Sequence, residues 1–427
     1  MATTSRRTFL KHAGAVSLAA GFAGAVRANG PNEKVVVGLI GCGGRGRRFY
    51  EFADFVCDPD EERLAIAANQ AGVDTSRAVT DMRRLLDDRS IDAVVIATPD
   101  HWHAPAAILA LQAGKHVYVE KPCSHNFRES QLLLDAARRS GRVVQHGTQQ
   151  RSSRQVREAV AMLRDRVIGD VLVAKAWNVQ LRPSIGHSQP TDPPSGLDYD
   201  LWVGPAEFLP FQSNRLHYNW HWWYQFGTGD VGNDGAHEID LARWGLGVDT
   251  LPSKAVAIGG KYYHDDDQQF PDTATCVFEY PGNGAVGDRR QLIFEMRIWS
   301  TNYPYNCDSG VEFIGTQGRM MISKRGKLEI FGPRNTVISQ ERFESAKNME
   351  HMDDFIEAIR SSRSPNAPID EAHRSVALIH LANIALRTGR AIEFDPVSEQ
   401  VFGDEEANRL LGRVYRHGGH WAIPPGA

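Results

Sequence analysis

The chain of 427 residues lacks any long run of charges of one sign, and its formal net charge is −4. Bulk attraction to nucleic acid is therefore not expected. After residue 30, no stretch reaches the roughly 18 apolar residues that a membrane span needs. These absences argue against nucleic acid as a partner and against a membrane span in the mature protein.

Cysteine is scarce and scattered in this sequence. The five cysteines are Cys42, Cys57, Cys123, Cys276 and Cys307. None forms a CxxC pair, which argues against a zinc ribbon and a dense disulfide framework, and the odd number leaves at least one without an intramolecular partner. His417 and His420 lie close together in the tail, but no carboxylate of known position accompanies them. We therefore predict no metal site.

The first 28 residues read as an export signal. Residues 5–11 are SRRTFLK, and an arginine pair followed by FLK resembles the twin-arginine signal. A mild apolar stretch over residues 13–25 follows, and Val26-Arg27-Ala28 fits a small-residue cleavage site with cutting after Ala28. Because the twin-arginine route carries folded proteins, we expect a periplasmic or extracytoplasmic protein that acquires any cofactor before export.

The composition, 42% apolar and 23% charged, is typical of a soluble globular protein, and the length suffices for two domains. Over residues 34–150, buried strands alternate with helices, which predicts a doubly wound α/β domain with a parallel sheet. The predicted strands cover residues 34–40, 55–57, 92–98, 116–119 and 143–145, and the predicted helices cover residues 47–55, 105–113 and 128–140.

The pattern changes in the second predicted domain, residues 151–395. Several runs alternate between apolar and polar residues, which predicts a mostly antiparallel sheet. The predicted strands cover residues 171–179, 255–258, 273–280, 291–298, 311–314, 320–323 and 328–331, and the predicted helices cover residues 234–244, 352–359 and 375–386. The tail, residues 396–427, is polar and aromatic and has no clear assignment.

A glycine-rich turn follows the first predicted strand directly. The sequence GCGGRG matches the G-x-G-x-x-G motif, which in this context binds a dinucleotide. Its glycines are Gly41, Gly43, Gly44 and Gly46. Asp58 ends the second strand and is the candidate to bind the adenosine ribose, which favours NAD. Arg45 and Arg63 leave NADP as the alternative.

Three further motifs resemble the signature of the Gfo/Idh/MocA (glucose–fructose oxidoreductase / inositol dehydrogenase) family. They are TPDHWH at residues 98–103, AGKHV at 113–117 and EKP at 120–122. The resemblance implies a Rossmann domain followed by an α/β domain with an open, mostly antiparallel sheet, assembled as a homodimer or homotetramer. It also implies that the cofactor cleft contains Thr98, Pro99, His103, Glu120 and Lys121, with Lys121 near the nicotinamide.

The second signature of the family is G-x-x-x-D-x-G-x-H-x-x-D, and residues 229–240 read GDVGNDGAHEID. His237 matches the catalytic histidine and Asp240 matches its position, but Asn233 occupies the place of the usual aspartate. An asparagine orients a neighbour without supplying charge. Asp230 and Asp234 are the candidates for supplying that charge. By the resemblance, the catalytic residues are Lys121, Asn233 and His237.

The segment around residues 220–224 is unusually aromatic. Aromatic rings stack on the C–H faces of sugars, although the same rings also suit core packing. The predicted substrate-binding residues are Gln149, Trp177, Arg182, Trp220, His221 and Asp240.

Together, these features predict hydride transfer between NAD(P) and a hydroxyl or keto carbon of a sugar, glycoside or cyclitol, with His237 as base and Lys121 polarising the oxygen. Export predicts a tightly bound cofactor that is recycled on the protein. Two alternatives stay open: glycoside cleavage through a transient 3-keto intermediate on bound NAD, and a non-enzymatic sugar-binding or scaffold protein.

Overall fold

The structure, a computed structural model, describes residues 34–282, 284, 285, 287–344 and 348–427. The predicted export signal lies outside these residues. No helix in the described ranges combines the length and the apolar character needed to cross a bilayer.

A parallel sheet of six strands forms the N-terminal domain, in the order β3-β2-β1-β4-β5-β6. The strands are β1 (Val37–Ile40), β2 (Phe55–Cys57), β3 (Ala78–Val79), β4 (Ala93–Ile96), β5 (His116–Val119) and β6 (Val144–His146). Every residue of β1 and β4 is buried, as expected for central strands covered by helices on both faces. The predicted doubly wound parallel sheet is therefore confirmed.

Helices cover both faces of this sheet. They are α1 (Glu61–Ala71), α2 (Met82–Leu86), α3 (Asp100–Gln112) and α4 (Phe127–Ser140). The Asp60 carboxylate accepts hydrogen bonds from the first turn of α1, and Gly72 ends that helix with φ +66°. The turn after β1 leads into a short 3-10 helix, Gly46–Phe52, rather than the predicted helix over residues 47–55.

The second sheet has ten strands, in the order β14-β13-β12-β11-β7-β10-β9-β8-β15-β16. These are β7 (Val171–Val179), β8 (Lys254–Gly260), β9 (Thr273–Tyr280), β10 (Arg290–Arg297), β11 (Ser309–Gly315), β12 (Arg319–Ser323), β13 (Lys327–Phe331), β14 (Val337–Arg342), β15 (Ile392–Asp395) and β16 (Gln400–Val401). The strand β7 pairs in parallel with β10, and the other pairs are antiparallel.

Seven further helices follow the first domain: α5 (Arg154–Arg164), α6 (Tyr199–Val203), α7 (Gly229–Asn233), α8 (Gly235–Leu246), α9 (Asn348–Ser361), α10 (Ile369–Thr388) and α11 (Glu405–Leu410). Helices α8 and α10 pack on the second sheet, whereas α9 packs through Met352 and Phe355 into the core of the parallel sheet. Helix α8 lies very close to the sheet, because a Cβ at Gly235 would stand 2.5 Å from the Phe294 ring and one at Gly245 would stand 2.3 Å from the Phe313 ring. These glycines allow α8 to pack directly on the central strands β10 and β11.

Two irregular segments from beyond residue 180 fold back onto the N-terminal domain. The Asp198 amide donates to the Pro59 carbonyl at 2.9 Å, and the Glu61 amide donates to the Gly196 carbonyl at 2.9 Å. In the tail, the Arg413 guanidinium lies 2.6 Å from the buried Glu129 carboxylate on α4. The tail, which sequence patterns left unassigned, is therefore anchored to the first domain.

Candidate active site

A cleft of about 430 Å³ opens at the carboxyl ends of the parallel strands. The loops after β1, β2, β4 and β5 contribute Gly41, Asp58, Thr98 and Lys121 to its walls, and Pro99 also lines it. Helix α8 contributes His237. The cleft therefore has the location at which open α/β sheets bind their ligands.

The glycine turn provides a cradle that side chains would fill. A Cβ at Gly41, where φ is +92°, would stand 2.7 Å from the Ala97 carbonyl group, and one at Gly46 would stand 1.9 Å from the Gly41 oxygen. A Cβ at Gly44 would meet open space. Gly41 and Gly46 thus permit the turn itself, while Gly43 and Gly44 line the cleft. This arrangement fits the pyrophosphate of a dinucleotide.

Asp58 lines the end of the cleft that is predicted to hold the adenosine. Its carboxylate accepts hydrogen bonds from the Cys42 amide at 2.7 Å and from the Asp60 amide at 3.0 Å. Burial raises the pKa of Asp58 to about 6, although these amides and Arg63 oppose the rise. Arg63 lines the cleft near Asp58. Arg45 also lines the cleft, but its guanidinium lies 2.7 Å from the Glu120 carboxylate.

Glu120 anchors the loop that carries Lys121. Arg45 lies 2.7 Å from its carboxylate, the Gln149 amide donates to it at 3.1 Å, and the Tyr118 hydroxyl donates at 3.3 Å. Burial alone would raise the pKa of Glu120, but Arg45 prevails and the pKa is lowered to about 2. Gln149 is buried against this group and does not line the cleft, so its predicted substrate contact finds no support.

His103 ties two cleft loops together. One ring nitrogen lies 2.9 Å from the Thr98 carbonyl oxygen and the other lies 2.5 Å from the Pro122 carbonyl oxygen. The loop after β4 is thereby held against the loop after β5. Burial lowers the pKa of His103, and the neutral imidazole has one N–H, so it donates to one of the two carbonyl oxygens at a time.

Lys121 is held by Asn233. Its ammonium group donates to the Asn233 backbone carbonyl and, at 3.2 Å, to the Asn233 side-chain oxygen. The Asn233 amide nitrogen donates in turn to Asp230 at 3.0 Å and to the Tyr218 hydroxyl at 3.2 Å. Every hydrogen-bonding group of this side-chain amide is therefore in use, and Asn233 acts by positioning Lys121.

Asp230 supplies the negative charge that position 233 lacks. Its buried carboxylate accepts hydrogen bonds from Asn178 at 2.6 Å and Arg182 at 3.1 Å, besides the one from Asn233. Arg182 also pairs with Asp234. Arg182, predicted to bind substrate, is therefore the counter-ion of two carboxylates at the cleft edge.

His237 faces the cleft with both imidazole nitrogens free. In the part of the chain that the structure describes, no side-chain hydrogen bond to His237 is present, and the residue lines the cleft with Lys121. Burial lowers the pKa of His237 well below 6.5, and Lys324 and Lys121 lower it further. The imidazole is therefore neutral at neutral pH and able to accept a proton.

Two family models match most of the chain. Residues 35–148 match an oxidoreductase family domain with an NAD-binding Rossmann fold, and residues 175–280 and 324–423 match the C-terminal alpha/beta domain of that oxidoreductase family. The chain belongs to the Gfo/Idh/MocA oxidoreductase family. The glycine cradle and Asp58 both lie within residues 35–148, the part that matches the NAD-binding Rossmann domain.

Known members of the family are similar along most of their length. The scyllo-inositol 2-dehydrogenase (NAD(+)) of Bacillus subtilis (strain 168) is 24% identical over 356 residues, 80% of this chain and 89% of that protein. A structure of levoglucosan dehydrogenase in complex with NADH aligns with TM-score 0.65 and 18% identity, covering 86% and 100% of the two chains. A structure of aldose-aldose oxidoreductase from Caulobacter crescentus, complexed with glycerol, aligns with TM-score 0.65 and 18% identity. The alignment covers 85% of this chain and 100% of that one.

Of the residues predicted to bind the substrate of this Gfo/Idh/MocA protein, only some line the cleft. Trp220 and His221 line it, with ring centroids 3.6 Å apart. Trp177 is buried elsewhere, and its indole donates to the Cys307 carbonyl at 2.9 Å. Asp240 is buried against Arg151, 2.8 Å away. The structure thus corrects the predicted roles of Trp177 and Asp240, because both side chains face the interior of the second domain.

Several residues that line the cleft were not among the site residues predicted from the sequence. Trp102 follows β4, Asp81 and Met82 follow β3, and Trp421 comes from the tail. The Trp102 and Trp421 rings lie 5.7 Å apart, and Arg83 lies 4.6 Å above the Trp421 ring. Trp102 stood within the TPDHWH motif, whereas no local pattern indicated Trp421, which reaches the cleft only through tertiary contacts.

The described residues contain no cluster of three His, Cys, Asp or Glu side chains that would hold a metal ion. All five cysteines are buried as free thiols.

Replacing Asp58 with Asn should shift cofactor preference toward NADP. The carboxylate repels a 2′-phosphate and Arg63 stands beside it, so removing the charge leaves the cation to attract the phosphate. We expect the ratio of the NADP Kd to the NAD Kd to fall about tenfold or more. Isothermal titration calorimetry measures both constants. The exposed Asp74→Asn variant serves as control, and an unchanged ratio in Asp58→Asn would contradict the assignment.

Replacing Lys324 with Gln should move the acid limb of the kcat/KM profile to higher pH. Lys324 lowers the pKa of His237, so its removal raises that pKa, and the base is then protonated at a higher pH. Lys324 lies 3.1 Å from Glu238 and not among the cleft residues. The exposed Lys254→Gln is the control. An acid limb that stays in place would show that His237 is not the titrating base.

Proposed function

We propose that this enzyme transfers a hydride reversibly between NAD and a hydroxyl or keto carbon of a sugar or cyclic polyol. The observation that carries the proposal is the meeting of three features in one cleft: a glycine cradle, an oriented Lys121 ammonium group and a free, neutral His237 imidazole. The names of the relatives, an inositol dehydrogenase and oxidoreductases of sugars, support a polyhydroxylated substrate.

The chain's own residues supply proton transfer and charge stabilisation. NAD, when bound, supplies the hydride acceptor at its nicotinamide ring. Of the three N–H groups of Lys121, two are used on Asn233, which leaves one for the substrate oxygen. That group stabilises the negative charge that develops on the oxygen as His237 removes the hydroxyl proton.

We further propose that the enzyme acts outside the cytoplasm with a retained cofactor. The export signal over residues 1–28 motivates the location. Retention is supported by contacts at the adenosine end, where His217 lies 3.2 Å from Asp60 and the loop at Gly196 is hydrogen-bonded to Glu61. Trp421 of the tail also lines the cleft. Retained NAD requires a second sugar, or the same sugar later in the cycle, to restore its redox state.

Mass spectrometry of the small molecules released by denaturing the purified mature protein tests retention. We expect NAD or NADH in about equimolar amount. Export is tested separately by fractionating cells that express the full chain and its Arg6→Lys, Arg7→Lys double variant, which should stay in the cytoplasm. Protein that releases no nucleotide and is exported regardless of the arginines would contradict this part of the proposal.

The reaction itself is tested by mixing the NAD-loaded enzyme with inositols, aldoses and their glycosides and following nicotinamide absorbance. We expect one of these substrate classes to reduce the bound NAD. The His237→Gln variant should retain NAD but reduce it at least about 100-fold more slowly. His187→Gln, an exposed histidine, is the control. Product analysis separates the alternative chemistry, since glycoside cleavage through a 3-keto intermediate releases an aglycone without net oxidation.

A further inference from the structure

Tyr218 lies at the edge of the cleft beside the Lys121–Asn233 pair. It precedes the 3-10 helix Asn219–Trp222 and lines the cleft, with 48% of its surface exposed. Its ring packs against the rings of His221, at 4.6 Å, and Trp222, at 5.5 Å. The ring is therefore held between its neighbours while part of the residue remains exposed at the cleft.

The hydroxyl oxygen of Tyr218 accepts two hydrogen bonds. Arg182 donates at 2.9 Å, and the Asn233 amide nitrogen donates at 3.2 Å. A guanidinium has no acceptor, and the Asn233 amide is oriented by Lys121 at its oxygen and Asp230 at its nitrogen. Neither partner therefore takes the phenolic proton.

That proton has no acceptor within the described part of the chain. Burial raises the pKa of Tyr218, so the hydroxyl stays protonated at neutral pH even though Arg182 opposes the rise. Both acceptor positions of this hydroxyl are occupied, so the remaining hydrogen bond that it can make is one that it donates. Because Tyr218 lines the cleft, a ligand in the cleft is the acceptor within its reach.

The position of this donor relative to Lys121 indicates which substrate oxygen it meets. Lys121 contacts the oxygen of the Asn233 amide and Tyr218 contacts the nitrogen of the same amide. The ammonium group and the hydroxyl are therefore linked through a single amide group, and both residues line the cleft. Two oxygens on neighbouring carbons suit such a pair of donors.

We propose that Tyr218 is a specificity-determining residue that donates its hydrogen bond to the hydroxyl group next to the reacting carbon. The preferred substrate is then a vicinal diol, with the reacting oxygen on Lys121 and its neighbour on Tyr218. This inference rests on the proposed dehydrogenase function and adds the substrate feature that the cleft selects.

The test compares Tyr218→Phe with the unmodified enzyme on matched substrates. The probes are myo-inositol and D-glucose, each with its monodeoxy analogues, used on NAD-loaded protein. In the unmodified enzyme, loss of the neighbouring hydroxyl should lower kcat/KM about tenfold or more. In Tyr218→Phe, the parent substrate should fall to the level of that analogue, and the analogue itself should be nearly unaffected.

Tyr224→Phe provides the matched control, because Tyr224 belongs to the same aromatic segment but packs against Phe270 and Arg387 outside the cleft. It should retain full discrimination. Equal losses of Tyr218→Phe on the parent and on every deoxy analogue, or no loss at all, would overturn the proposal while the dehydrogenase function stands. Failure of all the polyols to reduce bound NAD in the unmodified enzyme would overturn both.

Discussion

The arrangement of the reacting groups depends on one buried carboxylate, that of Asp230. It has no exposed surface and accepts hydrogen bonds from Asn178, Asn233 and Arg182. A buried carboxylate is costly unless it is fully paired, so these three donors are held in place strongly. Asn233 is thereby fixed with its amide oxygen toward Lys121, and Arg182 with one N–H toward Tyr218.

This interaction accounts for the asparagine in a family signature that otherwise has aspartate. The negative charge is displaced by one helical turn, from position 233 to Asp230, and Asn233 connects it to Lys121. An aspartate at position 233 would place two carboxylates about 3.0 Å apart, where Asn233 now donates to Asp230. The departure at position 233 is therefore matched to its surroundings.

The residues of the cleft come from three parts of the fold: the parallel sheet, helix α8 and the tail. The glycine cradle, Asp58 and Lys121 follow β1, β2 and β5 at the same edge of one parallel sheet, so the sheet brings them together. His237 comes from α8, whose close approach to the second sheet depends on Gly235 and Gly245. The tail contributes Trp421 to the cleft, and Arg413 and Glu129 anchor the tail to α4.

Local sequence patterns predicted most of the fold and singled out Lys121 and His237, which the structure brings into one cleft. Buried strands, the glycine motif and the two family signatures all act over short stretches, and they identified the parallel sheet, Lys121 and His237. The incorrect or missing assignments depend on distant contacts. Trp177 and Asp240 carry groups that suit sugars, but their partners Cys307 and Arg151 become visible only in three dimensions.

Residues that reach the cleft from irregular segments were missed for the same reason. Tyr218 and Trp421 have no periodic neighbours, and their positions follow from hydrogen bonds and ring contacts to other elements. The export signal falls on residues outside the structure and stays a prediction. Hydrophobic periodicity indicates helices and strands, because their side chains repeat at a fixed spacing. The position of a loop side chain depends instead on the residues that it contacts in the folded chain.

The most direct test of the central role of Asp230 is the kcat/KM of Asn233→Asp on the polyol that the enzyme oxidises. The account predicts a loss of about 10- to 100-fold, because repulsion from Asp230 misplaces the group that orients Lys121. The melting temperature and NAD content should be checked beside the exposed Asn302→Asp control. Activity equal to or above that of the unmodified enzyme would show that the aspartate of the signature suffices and that Asn233 does not position Lys121.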